Sequence, residues 1–171
     1  MRRLGAHRRR ILVPLVTTVL GLACGAPRAT AGHDAPPARP SAGTTALEQA
    51  VHDLVNRHRG ARSLPSLTRD PRMSHEARRH SIAMAAGRIP FGHAGFDDRV
   101  KALRAARPCP RVGENVASSL GQHDPAAEAV RGWLASRPHR DNLEGPYDRT
   151  GVGVARSASG EIFFTQLFCG G

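Results

Sequence analysis

The chain has 171 residues, the length of one ordinary domain. Only Lys101 among its 25 basic residues is a lysine, its formal net charge is +11, and 40% of it is hydrophobic, so a core is affordable and wholesale disorder is excluded. No apolar run reaches the roughly 18 residues of a stable membrane span, which excludes a polytopic membrane protein.

The first segment runs Met1-Arg2-Arg3, Arg8-Arg9-Arg10 and then Ile11 to Ala23. A basic stretch before a short apolar one reads as an export signal over residues 1–31. Ala29-Thr30-Ala31 fits an A-x-A cleavage site. Leu22-Ala23-Cys24 offers a second site, an imperfect lipobox in which Cys24 would carry a lipid anchor to the cell envelope. Soluble secretion is the expectation, because Gly21 stands where a lipobox usually has leucine.

After Ala31 there remain 19 basic and 14 acidic side chains, a net of +5. The arginines are scattered along the chain rather than bunched, so the sequence predicts no nucleic-acid partner. Weak attraction to anionic envelope polymers remains open. Beyond the leader, Cys109 and Cys169 are the remaining cysteines. In an oxidising compartment they are expected to form a disulfide. Closing that loop is worth roughly 4 kcal/mol in the chain-entropy model.

Residues 32–43 are rich in Pro, Ala and Gly and read as a flexible linker, with a domain over residues 44–171. Thr44 and Thr45 are the expected caps of a first helix, whose one face carries Leu47, Val51, Leu54, Val55 and His58. Gly60 and Pro65 end it. Asp70-Pro71 opens a second helix, with Met73, Ala77, His80 and Met84 inward and Gly87 as the stop. A Gly-rich loop, Phe91 to Phe96, precedes a short helix that Asp97 could cap. Val112 to Ala117 reads as an extended segment. Asp124-Pro125 starts another helix with Ala126, Val130, Trp133 and Leu134 on one face, and Pro138 breaks it. Residues 137–145 read as a turn or a single helical turn.

The end of the chain reads as two strands, near 151–155 and 161–169, joined by a turn at Ser157 to Gly160. The second is apolar on both faces and needs cover on both sides. Helices around a small antiparallel sheet make an α+β fold, an α/β/α sandwich.

His75 and His80 resemble the H-E-x-x-H zinc motif, but they are five apart, about 140° round a helix, and cannot chelate one ion as an i, i+4 pair does. Ser136 and His139 could pair as nucleophile and base, yet no G-x-S-x-G elbow exists.

In combination other motifs are more telling. Leu54-Val55-Asn56-Arg57, His80-Ser81, Met84-Ala85, Phe91-Gly92-His93, Gly113-Glu114-Asn115-Val116-Ala117, Ala129 to Trp133, Ser136 to Asn142, Gly151 to Val154 and Phe164 to Phe168 stand in sequence order. Over residues 46–169 the chain resembles bacterial members of the CAP superfamily of cysteine-rich secretory, antigen 5 and pathogenesis-related proteins. The resemblance implies the sandwich and a cleft lined by two His and two Glu. His93 and His139 match the His places and Glu114 one Glu place, while Ser136 stands at the other. It further implies a secreted, non-catalytic binding module whose His93 and His139 could hold a divalent cation such as Zn²⁺, or whose cleft, with Glu114 and Ser136, takes a small ligand such as a lipid. The alternative is a metal-assisted hydrolase of envelope peptide or polymer, with Glu114 as general base.

Overall fold

The structure, a computed structural model, describes residues 41–170. The leader, Cys24 and most of the expected linker lie outside the described residues. Helix α1 spans Ala42–Ala61. Its cap is Ser41, whose Oγ accepts the Thr44 amide at 3.3 Å, so Thr44 and Thr45 fall inside the first turn. Val51 and Val55 are buried on the predicted face, with Leu47 and Leu54 half-buried beside them.

That face also buries two charges that apolar periodicity does not reveal, Glu48 and Arg59. Arg78 donates to both Glu48 oxygens at 2.6 Å, and Val154 N–H donates to Oε1 at 3.3 Å. Arg59 instead donates to four backbone carbonyls, those of Pro65, Leu143, Gly145 and Tyr147, and so ties the end of α1 to distant chain.

Strand β1 is the dipeptide Thr68–Arg69, too short to carry a pattern. Helix α2, Pro71–Ala85, begins as expected, with Asp70 accepting the amides of Arg72 and Met73. Met73, Ala77, His80 and Met84 are all buried, as their spacing predicts. Helix α3, Phe96–Ala106, is capped by Gly95 at φ 73° rather than by Asp97, which lies in the first turn and there complements the helix dipole. Strand β2 follows at Arg111–Ser119, then α4 at Pro125–Ala135 behind its Asp124 cap.

The expected turn at 137–145 is an eight-residue helix, α5, Arg137–Glu144. Pro138 ends α4 but also sits in the first turn of α5, where its missing N–H costs nothing. Strands β3, Arg149–Arg156, and β4, Ile162–Gly170, complete the chain, and every residue of β4 is buried.

The sheet runs β1-β3-β4-β2. Its long pairs are antiparallel, as expected, but β1 pairs with β3 in parallel, so the sheet is mixed. One face packs Leu167 and Cys169 against Met73, Ala77 and Leu103 of α2 and α3. The other packs Val152, Val154, Phe164 and Phe168 against α1 and α4, around the buried Trp133. This is the three-layer sandwich read from the sequence. Helix α2 lies so close to β3 that a Cβ at Gly151 or Gly153 would meet its backbone at Met73–Ser74 or Ala77–Arg78. Cys109 and Cys169 form the expected disulfide, Cα–Cα 5.6 Å, joining the segment before β2 to the end of β4.

Candidate functional site

Strand β2 is an edge strand, and its side chains alternate between the two faces of the sheet. Glu114 lies opposite Leu167 on the α2–α3 side, and Asn115 lies opposite Gln166 on the α5 side. The edge carbonyls of β2 are covered by side chains. Asn142 of α5 donates to Glu114 O at 3.2 Å, and the Trp133 indole donates to Val116 O at 2.9 Å. Asn115 donates to His139 O at 3.0 Å and accepts from Asn142 at 2.9 Å. These bonds quench an edge that could otherwise pair with another chain, and they fix α5 against β2.

From the other side comes the loop between α2 and α3. The Gly92 carbonyl pairs with His80 Nε2 at 2.8 Å, and Ala94 O accepts from Arg99 at 2.9 Å. Phe91 tilts onto Phe163 with ring centroids 6.4 Å apart. Gly92 and Gly95 hold positive φ of 138° and 73°, which lets the loop turn tightly around His93.

His93 and Glu114 meet here, with Nδ1 and Oε1 2.9 Å apart. Arg99 binds the same carboxylate through both arms of its fork, Nε to Oε2 at 2.6 Å and Nη2 to Oε1 at 2.8 Å. The Glu114 side chain is 1% exposed and that of Arg99 9%, whereas the His93 ring is about half exposed (48%). A carboxylate held bidentately by guanidinium only accepts, so His93 donates Nδ1–H and its free nitrogen is Nε2.

The His139 ring lies 6.4 Å from that of His93, centroid to centroid, at 33° between planes. Burial, and behind it the nearby His93, hold the His139 imidazole below its ordinary value of 6.5. His80 is displaced in the same direction, chiefly by burial. The structure thus brings His93, Glu114 and His139 together across the sheet edge. Ser136 is half-buried where α4 passes into α5, and among the described hydrogen bonds none uses its hydroxyl.

Sequence reasoning missed Arg99. Arg99 and Leu103 are four apart on α3 and the structure buries both, so a charge sits on the inward stripe of the helix. His75 is exposed and His80 buried, so the two do not form a chelating pair.

Among the described residues, no group of three or more His, Cys, Asp or Glu side chains is arranged to hold a metal. What the cluster does offer an ion is two imidazole nitrogens, while Glu114 is already spent on Arg99 and His93. No described helix is long and apolar enough to cross a membrane.

The chain is similar in structure to an extracellular protein of Bacillus anthracis that contains an SCP domain, at 31% identity and TM-score 0.62, covering 75% of this chain and 41% of that one. It is also similar to a cysteine-rich secretory protein of Staphylococcus aureus, at 16% identity and TM-score 0.61, covering 78% and 42%. Against an outer surface protein of Borrelia burgdorferi the identity is 19% and the TM-score 0.63, covering 74% and 94%. The chain therefore spans less than half the length of the first and second of these and nearly all of the third. No curated protein matches it in sequence. A model of the cysteine-rich secretory protein family, CAP, matches residues 52–168. The chain belongs to the CAP family.

Proposed function

We propose that this domain works outside the cytoplasm as a non-catalytic binding module, taking a divalent transition ion on His93 and His139. The observation that carries the reading is the Arg99–Glu114–His93 relay. Glu114 spends its oxygens on a guanidinium and on Nδ1 of His93, so it acts as the outer-shell partner that orients an imidazole ligand. The same bonds argue against Glu114 as a general base, which is what a hydrolase at this site would ask of it. Burial favours the neutral form of His139, the form in which imidazole binds metal. An ion bound here would link the α2–α3 loop to α5 across the sheet edge and supply a Lewis-acid centre for a small anionic or carbonyl ligand. Export rests on the basic and apolar leader read in the sequence, and the extracellular and outer-surface relatives support it.

Calorimetric titration of Zn²⁺ into the purified domain tests the reading. One ion per chain is expected, with affinity down at least tenfold in His93→Ala and in His139→Ala. Uptake that stays the same in both variants overturns it.

A further inference from the structure

His93 sits within the α2–α3 loop, and whatever fixes its backbone decides where its ring stands. Three successive carbonyls of that loop are taken by buried side chains. Arg99 donates to Ala94 O at 2.9 Å and to His93 O at 3.4 Å. His80 reaches Gly92 O through Nε2 at 2.8 Å. A carbonyl oxygen only accepts, so His80 donates Nε2–H. Among the described hydrogen bonds, this is the only one that a side chain of α2 makes to the loop.

The donor is mounted on firm ground. Helix α2 lies backbone to backbone against Gly151 and Gly153. Ser81, the next residue, donates to Gly153 O at 3.0 Å and stands 2.8 Å from the Thr165 hydroxyl. His80 itself is 4% exposed, so its ring has little room to swing away. The acceptor is the opposite case. Gly92 holds φ 138°, has no side chain to pack, and faces open space where a Cβ would stand. Its neighbour Phe91 is 55% exposed, with only an edge of contact to Phe163 beneath it. The bond from His80 therefore carries the fixed spacing of α2 and the sheet onto the residue before His93. On the other side of His93, Arg99 does the same from α3 while it grips Glu114.

We propose that His80 is a positioning residue for the ion site: through Gly92 O it presets the backbone of His93, so that the ring meets Glu114 on one side and faces His139 on the other. The role presupposes the ion-binding reading of the cluster, and His80 is not itself a ligand. The His93 and His139 rings are 6.4 Å apart. Ligands that share one ion must be held to within about 0.5 Å, so a loop left loose at Gly92 weakens the site without changing either imidazole. What matters is the hydrogen bond, not the bulk of the His80 ring.

The test compares His80→Gln, whose amide nitrogen reaches the place of Nε2 and still donates, with His80→Met, which has similar volume and no donor. His80→Leu is a second donor-free variant, and thermal melts identify the proteins that fold. NMR relaxation of the backbone amides of Gly92, His93 and Ala94 is measured without ion, and Zn²⁺ uptake is measured by calorimetry. Order parameters of about 0.85 are expected in the wild type and in His80→Gln, falling below about 0.6 in the donor-free variants. Zn²⁺ affinity should stay within about threefold in His80→Gln and drop about tenfold or more in His80→Met. Loop order that is unchanged in the donor-free variants overturns the proposal, and so does an equal loss of affinity in His80→Gln and His80→Met. A wild type that takes up no Zn²⁺ overturns the ion-binding reading and this role with it. That outcome is distinguished from failure of the positioning alone, because the relaxation measurement needs no ion.

Discussion

The two ends of the sheet are built on different principles. At β3, helix α2 rests backbone to backbone on Gly151 and Gly153. At β2, the layers meet through side-chain hydrogen bonds, with Trp133, Asn142 and Arg99 reaching the strand from three helices. The closed end holds the layers at fixed spacing. The open end carries a buried ion pair and two imidazoles, held by side-chain contacts.

The first way to break this contrast is Gly153→Ala. Its methyl group would fall onto the α2 backbone between Ala77 and Arg78, which cannot move aside as a flexible side chain does. A loss of about 3 kcal/mol or more is expected in urea unfolding, at the upper end of overpacking. Arg99→Met comes next. It leaves Glu114 buried without its cation, for a loss of about 3 kcal/mol. It also frees His93, so ion uptake should weaken in Arg99→Met, whereas refolded Gly153→Ala keeps it.

Acid provides a milder probe. His80 is held below its ordinary 6.5 chiefly by burial, and His139 likewise. A histidine with a depressed folded value contributes its full stability above the unfolded value and loses it as pH falls through the window below, because the unfolded chain takes up the proton first. Unfolding free energy should thus decline as pH drops below 6.5, and His80→Gln should flatten that decline. The smallest expected effect on stability is that of Ser136→Glu, within about 0.5 kcal/mol because the position is half-buried and the hydroxyl has no described partner. If Ser136 stands at the second Glu place of the family cleft, this substitution tightens Zn²⁺ uptake.

The closed end was the more legible of the two in the sequence. The spacing of Met73, Ala77 and Met84, the Asp70-Pro71 start and the doubly apolar β4 locate α2 and its cover from local patterns alone. Elsewhere local patterns mislead. Pro138 reads as a stop because proline ends helices, yet here it begins the next one. β1 has two residues and no period to detect. Arg99, Glu48 and Arg59 are buried through partners 15 to 106 residues away, which only tertiary structure supplies. His93, Glu114 and His139 stood out only through the family resemblance, since an isolated loop histidine or strand glutamate carries no signal of its own.

X-ray absorption at the zinc edge of the loaded domain tests the central claim most directly. Two imidazole nitrogens are expected, with oxygen in the other positions, and loss of all imidazole scattering in the His93→Ala, His139→Ala double variant. A spectrum without imidazole in the wild type, or one unchanged in the double variant, would contradict it.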